Sequence, residues 1–188
     1  MLSFASSLSS DNDAFAIFVN DKFNFKDRKN LLSKEVKNKI NLYLSNLKDR
    51  KNEEQISSLD ITPKQKCFII KIKNKYENHY PEERGGIFYS YLKNIKKIDI
   101  YIDSLDLEKE EIINFSSEFI FGYTLKSYTF DIYKTSNKKN SKINIFCKII
   151  SSHKEKIQKK YKYYDAIKSG VFLTRDLVSE PGNILHPD

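Results

Sequence analysis

The chain has 188 residues, with 33 Lys and Arg against 25 Asp and Glu, and a net charge of +8. One domain's length, 39% hydrophobic residues and 13% aromatics exclude a disordered chain and call for one packed core. No apolar run approaches the roughly 18–20 residues that span a bilayer, Met1–Ala5 lacks the basic-then-apolar order of a secretory signal, and Cys67 and Cys147 are too few for a disulfide framework, so the expectation is a cytoplasmic chain without membrane contact.

In chain order, Ala14–Val19 is a short apolar run that reads as a buried strand. Leu32, Val36, Ile40, Tyr43 and Leu47 recur at three and four residues, the period of an amphipathic helix. Residues 49–58 are polar and read as a loop. Cys67–Ile72 is a second apolar strand. Residues 76–84, with Pro81, read as a break, although Glu82 and Glu83 suit a helix first turn. From Gly86, the positions Ile87, Tyr91, Leu92 and Ile95 are helical again.

Residues 97–103 alternate Ile with charged residues and Tyr101, which predicts a strand with one wet face near a sheet edge. Asp99 and Asp103 would keep that face solvated. Leu107 to about Leu125 reads as a helix with Asp106, Glu108, Glu110 and Glu111 in its first turns. Residues 128–142 form a polar excursion, and Ile143, Ile145, Cys147 and Ile149 alternate as another strand. Ser152 and Glu155 have the spacing of a capping box ahead of a long helix, His153 to Ser179. Alternating strands and helices predict a layered α/β domain with a mixed, mostly parallel sheet and a long C-terminal helix.

Reactive chemistry is hard to find. His79, His153 and His186 share no metal-ligand spacing, and there is no H-E-x-x-H, C-x-x-C or G-x-S-x-G. Five Gly cannot assemble a phosphate-binding loop; Gly85-Gly86 reads as freeing a helix entry. Both cysteines fall inside apolar strands and read as core. The 29 Lys outnumber 4 Arg, a bias that weakens a sequence-specific DNA reading, since Arg is favoured for bidentate guanine and phosphate contacts. Eleven Lys between Lys134 and Lys168 against Glu155 and Asp165 nevertheless make a basic stretch.

Residues 169–187 read S-G-V-F-L-T-R-D-L-V-S-E-P-G-N-I-L-H-P. They resemble the domain-joining helix of the leucyl (cytosol) aminopeptidases, with its pattern G-V-x-x-x-R-D-L-V-x-x-P-x-N. Residues 122–134 resemble the same family's G-x-x-x-x-x-Y-x-F-x-x-Y-K stretch. The resemblance implies a macrodomain-like N-terminal domain over 1–150, and a joining helix with the start of the catalytic domain over 151–188. It implies a full-length hexameric enzyme that removes N-terminal residues, preferably leucine, from peptides with two divalent cations (zinc, manganese or magnesium) in a following catalytic domain. The metal-binding N-T-D-A-E-G-R-type segment has no counterpart here, so no catalytic, cofactor or metal residue carries over. The 188 residues are then expected to be an inactive N-terminal fragment that supports assembly and access to the site. Arg175, Asp176, Leu177, Pro181 and Asn183 are the candidate joining residues; adjacent Arg175 and Asp176 point apart and each needs a partner, as do Leu173 and Ile184. Two alternatives stand beside this. One is a nucleic-acid-binding domain, with Lys138, Lys139, Lys154, Lys156, Lys159, Lys160 and Lys162 as candidate DNA contacts. The other is a stand-alone ADP-ribose binder of the macrodomain kind.

Overall fold

The computed structural model describes residues 1–49, 55–131, 133 and 145–181. In chain order the elements are β1 (Leu2–Ala5), β2 (Ala14–Val19), α1 (Lys34–Asp49), β3 (Ile56–Thr62), β4 (Gln65–Lys71), α2 (Tyr80–Ser90), β5 (Lys97–Tyr101), a 3-10 turn (Ile102–Ser104), α3 (Lys109–Lys126), β6 (Phe146–Ile150) and α4 (Lys154–Ser179). The sheet runs β1-β6-β5-β2-β4-β3. Every pairing is parallel except the antiparallel edge pair β3–β4.

All six residues of β2 are buried, as a central parallel strand covered on both faces requires. Its side chains alternate. Phe15, Ile17 and Val19 join Cys67, Ile69, Tyr101 and Ile150 beneath Ile40, Leu44 and Leu47 of α1. Ala14, Ala16 and Phe18 join Phe68, Ile70, Ile98 and Ile100 beneath α2, α3 and α4. One helix therefore covers one face and three cover the other, the layered mixed α/β architecture expected. Ser33 starts α1 by accepting the Val36 amide on its Oγ at 3.3 Å.

Helices α2 and α3 touch backbone to backbone. A Cβ on Gly85 would lie 1.9 Å from the Phe119 carbonyl oxygen, and one on Gly122 would lie 1.8 Å from that of Glu82. Gly85 thus sits inside α2 to admit α3, and does not free a helix entry. The close approach sets Phe88 tilted against Phe119 with ring centroids 5.9 Å apart, and Tyr89 edge-on to Tyr123 at 5.2 Å.

Several local expectations are corrected. Residues 56–58 belong to β3, which turns through Pro63 and Lys64 into β4, so that Thr62 pairs with Gln65. The break at 76–84 is the start of α2: Pro81 occupies its first turn, where a missing N–H costs nothing, and Glu82 and Glu83 lie there as expected. That helix stops at Ser90, short of Ile95. Strand β5 is central, not an edge. Asp99 and Asp103 are buried and hydrogen-bonded. Asp99 accepts the Ser9 amide at 2.5 Å, and Asp103 accepts the Ser151 hydroxyl at 2.7 Å and the Ser152 amide at 2.8 Å. Because Asp103 takes the Ser152 amide, the expected Ser152–Glu155 box does not form, and His153 is the N-cap of α4 without a side-chain bond. Glu111 instead reaches back to the Glu108 amide at the start of α3, 3.1 Å away. The long helix at the C-terminal end is present; most of the polar excursion and Ile143 lie outside the described residues. Cys67 and Cys147 are free, buried core residues.

Candidate domain-joining site

Two sequence stretches meet at the far end of α4. α3 ends at Lys126, and Tyr128 follows it. The Tyr128 ring packs against Phe172 with centroids 5.1 Å apart, and its hydroxyl donates to Asp176 Oδ1 at 2.8 Å. The Arg175 guanidinium lies 5.4 Å over the same ring, and its Nη1 donates to the Leu125 carbonyl at 3.1 Å. Leu125 is in the last turn of α3, where carbonyls lack helical partners and a cation is favoured. Burial, and next the bond to Asp176, push the Tyr128 hydroxyl pKa above its ordinary value. Farther along, Tyr133 donates to the Glu180 carboxylate.

Adjacent Arg175 and Asp176, expected to point apart, both reach Tyr128, the first over its ring and the second at its hydroxyl. Each nevertheless finds its partner inside the chain, on Tyr128 or the last turn of α3. Leu173, Leu177 and Val178 stay exposed on the opposite side. Pro181 is exposed, and Asn183 and Ile184 lie outside the described residues. Within α4 only Ile157 and Tyr161, near its start, are buried. A groove lined by Glu82, Glu83, Leu125, Lys126, Tyr128 and Arg175 runs beside the junction. Tyr128 is one letter of the family-like stretch 122–134, and no spacing in that stretch gives its bond to Asp176. The conjunction of a Tyr after one helix and an Arg-Asp pair in another is the signal that could have suggested it.

The lysines are spread differently. Lys156, Lys159 and Lys162 are exposed on α4, Lys154 is half-buried, and Lys160 donates to Asn114. With Ile157 and Tyr161 facing the core, these Lys fan over the solvent side of the first turns. Lys138 and Lys139 lie outside the described residues.

The C-terminal ends of β2 and β5, where parallel sheets commonly take ligands, are crossed by residues 20–33. Asp27 accepts the Tyr101 hydroxyl at 2.6 Å, the Leu31 amide at 3.0 Å and the Lys37 ammonium at 2.9 Å. Lys26 pairs with Asp106 at 2.5 Å, and Arg28 donates to the Leu107 carbonyl at 3.3 Å.

Among the described residues, no three His, Cys, Asp or Glu side chains converge as a metal ion would need. The side chains described here therefore do not fit a two-cation centre. No helix among them is long and apolar enough to cross a membrane.

No family model matches the chain. The probable cytosol aminopeptidase of Phytoplasma mali is 39% identical over 107 residues, covering 54% of this chain and 21% of that protein. The probable cytosol aminopeptidase of Rhizobium etli is 35% identical over 106 residues, covering 55% and 21%. The chain thus matches about a fifth of the length of these curated relatives. Among solved structures, a tomato leucine aminopeptidase mutant superimposes with a TM-score of 0.74 at 20% identity, over 99% of this chain and 39% of that one. The bottromycin maturation enzyme BotP, in complex with Mn, gives 0.63 at 10% identity, over 94% and 34%. Local sequence identity and a fold shared along nearly its whole length agree: the chain is similar to the N-terminal domain of the cytosol (leucyl) aminopeptidases.

Proposed function

We propose that this chain is the non-catalytic N-terminal domain of a leucyl aminopeptidase, and that residues 151–188 comprise the joining helix and the start of a catalytic domain. The observation that carries the reading is the Tyr128–Asp176–Arg175 junction, which links the two stretches that resemble the family. It anchors α4 by one side and leaves Leu173, Leu177 and Val178 bare on the other, as a helix shared between two domains requires.

In the longer protein, two divalent cations would polarise the peptide carbonyl and activate water for release of an N-terminal residue, preferably leucine. None of that chemistry is assigned to side chains of this chain. Its part is positional: α4, about 39 Å long at 1.5 Å per residue, sets the catalytic domain at a fixed distance and supports a hexamer in the cytoplasm.

The test is hydrolysis of leucine p-nitroanilide with added Mn²⁺ or Zn²⁺. The 188-residue chain is expected to show none, and the product of the reading frame continued past Asp188 is expected to turn over. Turnover by the 188 residues alone, or no metal-binding segment downstream, overturns the proposal.

A second reading is favoured by the exposed Lys156, Lys159 and Lys162 on α4: the basic face binds nucleic acid through phosphates. Such binding should weaken steeply with salt. Retardation of duplex DNA at low salt that survives Ala replacement of the three Lys, or no retardation at all, removes it.

A further inference from the structure

Arg84 is a buried cation that the packing of α2 does not explain. It is 4% exposed, and its Nε and Nη1 make no hydrogen bond among the described residues. Its Nη2 lies 3.5 Å from the Glu83 carboxylate, whereas a well-formed bond between such ions closes to about 2.7–2.9 Å. Native structures rarely leave buried donors unmade, and a bound water or ion is a common reason where they do.

The two side chains beside the guanidinium are Glu83 and Tyr80, whose ring lies 5.0 Å from it. Both line a cavity of about 700 Å³ at the start of α2, with Lys73, Lys75, Glu77 and His79. The Lys73 ammonium is 5.7 Å from the centre of the same Tyr80 ring. Lys73 and Lys75 are exposed, and neither forms an ion pair among the described residues. With Arg84 behind the wall, three cations stand against two carboxylates, Glu77 and Glu83. The N-terminal end of α2 adds the positive end of its dipole. The place in the fold also suits a ligand. β2 and β4 are parallel neighbours, yet β2 leads to α1 on one face of the sheet and β4 to α2 on the other. Open α/β sheets take ligands at the carboxyl ends of strands whose connections part in this way.

We propose that Arg84 anchors a site for a phosphate group in this cavity, with Glu83 as the side chain that the phosphate displaces. Each edge of the guanidinium that includes Nη2 also includes one of the unmade N–H groups, Nε or Nη1. A phosphate arriving in place of Glu83 therefore makes the two-pronged bond that Glu83 does not. Glu83 is mostly exposed, so it swings into water at little cost. Lys73 and Lys75 meet the remaining phosphate oxygens.

The experiment is a titration of the 188-residue chain with inorganic phosphate and with glycerol phosphate, against sodium chloride at matched ionic strength, followed by backbone amide NMR shifts. Saturable shifts at residues 73–84 are expected with phosphate and not with chloride. The tighter of the two probes tells whether the group arrives free or as an ester. Arg84→Met keeps the length and loses the charge. It should weaken phosphate about tenfold or more while the amide spectrum stays dispersed. Glu83→Gln removes the competing carboxylate and should tighten phosphate about threefold, a gain that disappears when Arg84→Met is added. No saturation beyond the chloride control, unchanged affinity in Arg84→Met, or an equal Glu83→Gln gain without Arg84 would each overturn the proposal.

Discussion

The Tyr128 hydroxyl donates to Asp176 across 2.8 Å, and this bond joins the segment after α3 to the last turns of α4. With the Arg175 guanidinium stacked on the same ring, it holds a stretch of helix that otherwise has little buried surface. Tyr128→Phe removes the bond but keeps the ring packing on Phe172. We expect amides 172–179 to exchange hydrogen about fivefold faster, the equivalent of about 1 kcal/mol. Tyr128→Ala should exceed this by exposing Phe172. Unchanged exchange in Tyr128→Phe would show that ring contact alone fixes the helix.

Gly122 is the glycine that opens the stretch resembling the family's Y-x-F-x-x-Y-K pattern, and its role is physical. With no room for a methyl group against the Glu82 carbonyl, Gly122→Ala must push α2 off α3. Overpacking of this sort costs about 3 kcal/mol. A lowered urea midpoint with an unchanged slope would confirm it. Ala at Gly170, which has nothing within 4 Å, should instead stabilise α4 by about 0.5–1 kcal/mol.

Asp27 ties down the segment across β2 and β5. Burial pushes its carboxyl pKa up. The Tyr101 hydroxyl, the Lys37 ammonium and the Leu32 and Leu31 amides together outweigh this, and hold it below the ordinary carboxylate value. For a depressed carboxyl, the stabilisation is complete above the unfolded pKa of about 4 and is lost as pH falls through the lower folded value. Asp27→Asn is expected to cost about 2 kcal/mol near neutrality and to flatten the acid side of the stability profile below about pH 4. A variant whose thermal midpoint falls as steeply in acid as the parent's would refute this role.

Arg84 is 4% exposed, and its Nε and Nη1 have no partner among the described residues. Its Nη2 lies 3.5 Å from Glu83, and the guanidinium sits 5.0 Å over the Tyr80 ring. A buried cation so thinly paired loses more hydration than it recovers. Arg84→Met, of similar length and wholly apolar at its end, is expected to raise stability by about 1 kcal/mol in urea unfolding. A loss of that size would mean that the Tyr80 and Glu83 contacts outweigh the desolvation.

The fold was legible where period and burial agree. Ala14–Val19 is apolar without interruption, Cys67–Ile72 is broken only by Lys71, and a strand buried on both faces writes itself that way. The α4 span was readable from its length and the Pro that follows. β5 misled because Asp99 and Asp103 looked like solvent-facing charges. What buries them is a set of hydroxyls and amides from Ser9, Ser151 and Ser152, distant in sequence and invisible to a local pattern. β3 was missed because Ser57, Ser58 and Asp60 dilute its hydrophobic signal, as an edge strand allows. At the junction, motif letters located Tyr128, Arg175 and Asp176, but which of them touch is a matter of how α3 and α4 cross, and that no spacing records.

β1 and β6 are neighbours in the sheet though far apart in sequence, with Leu2 in register with Cys147. Every residue between them must leave the ribosome before that pair can form, so the sheet cannot be completed while the stretch between them is still being translated. Pairings this remote in sequence are slow to close. Until β6 arrives, its unfilled place leaves the β5 side of the sheet open to association with other nascent chains, the stage at which this domain is most vulnerable to aggregation.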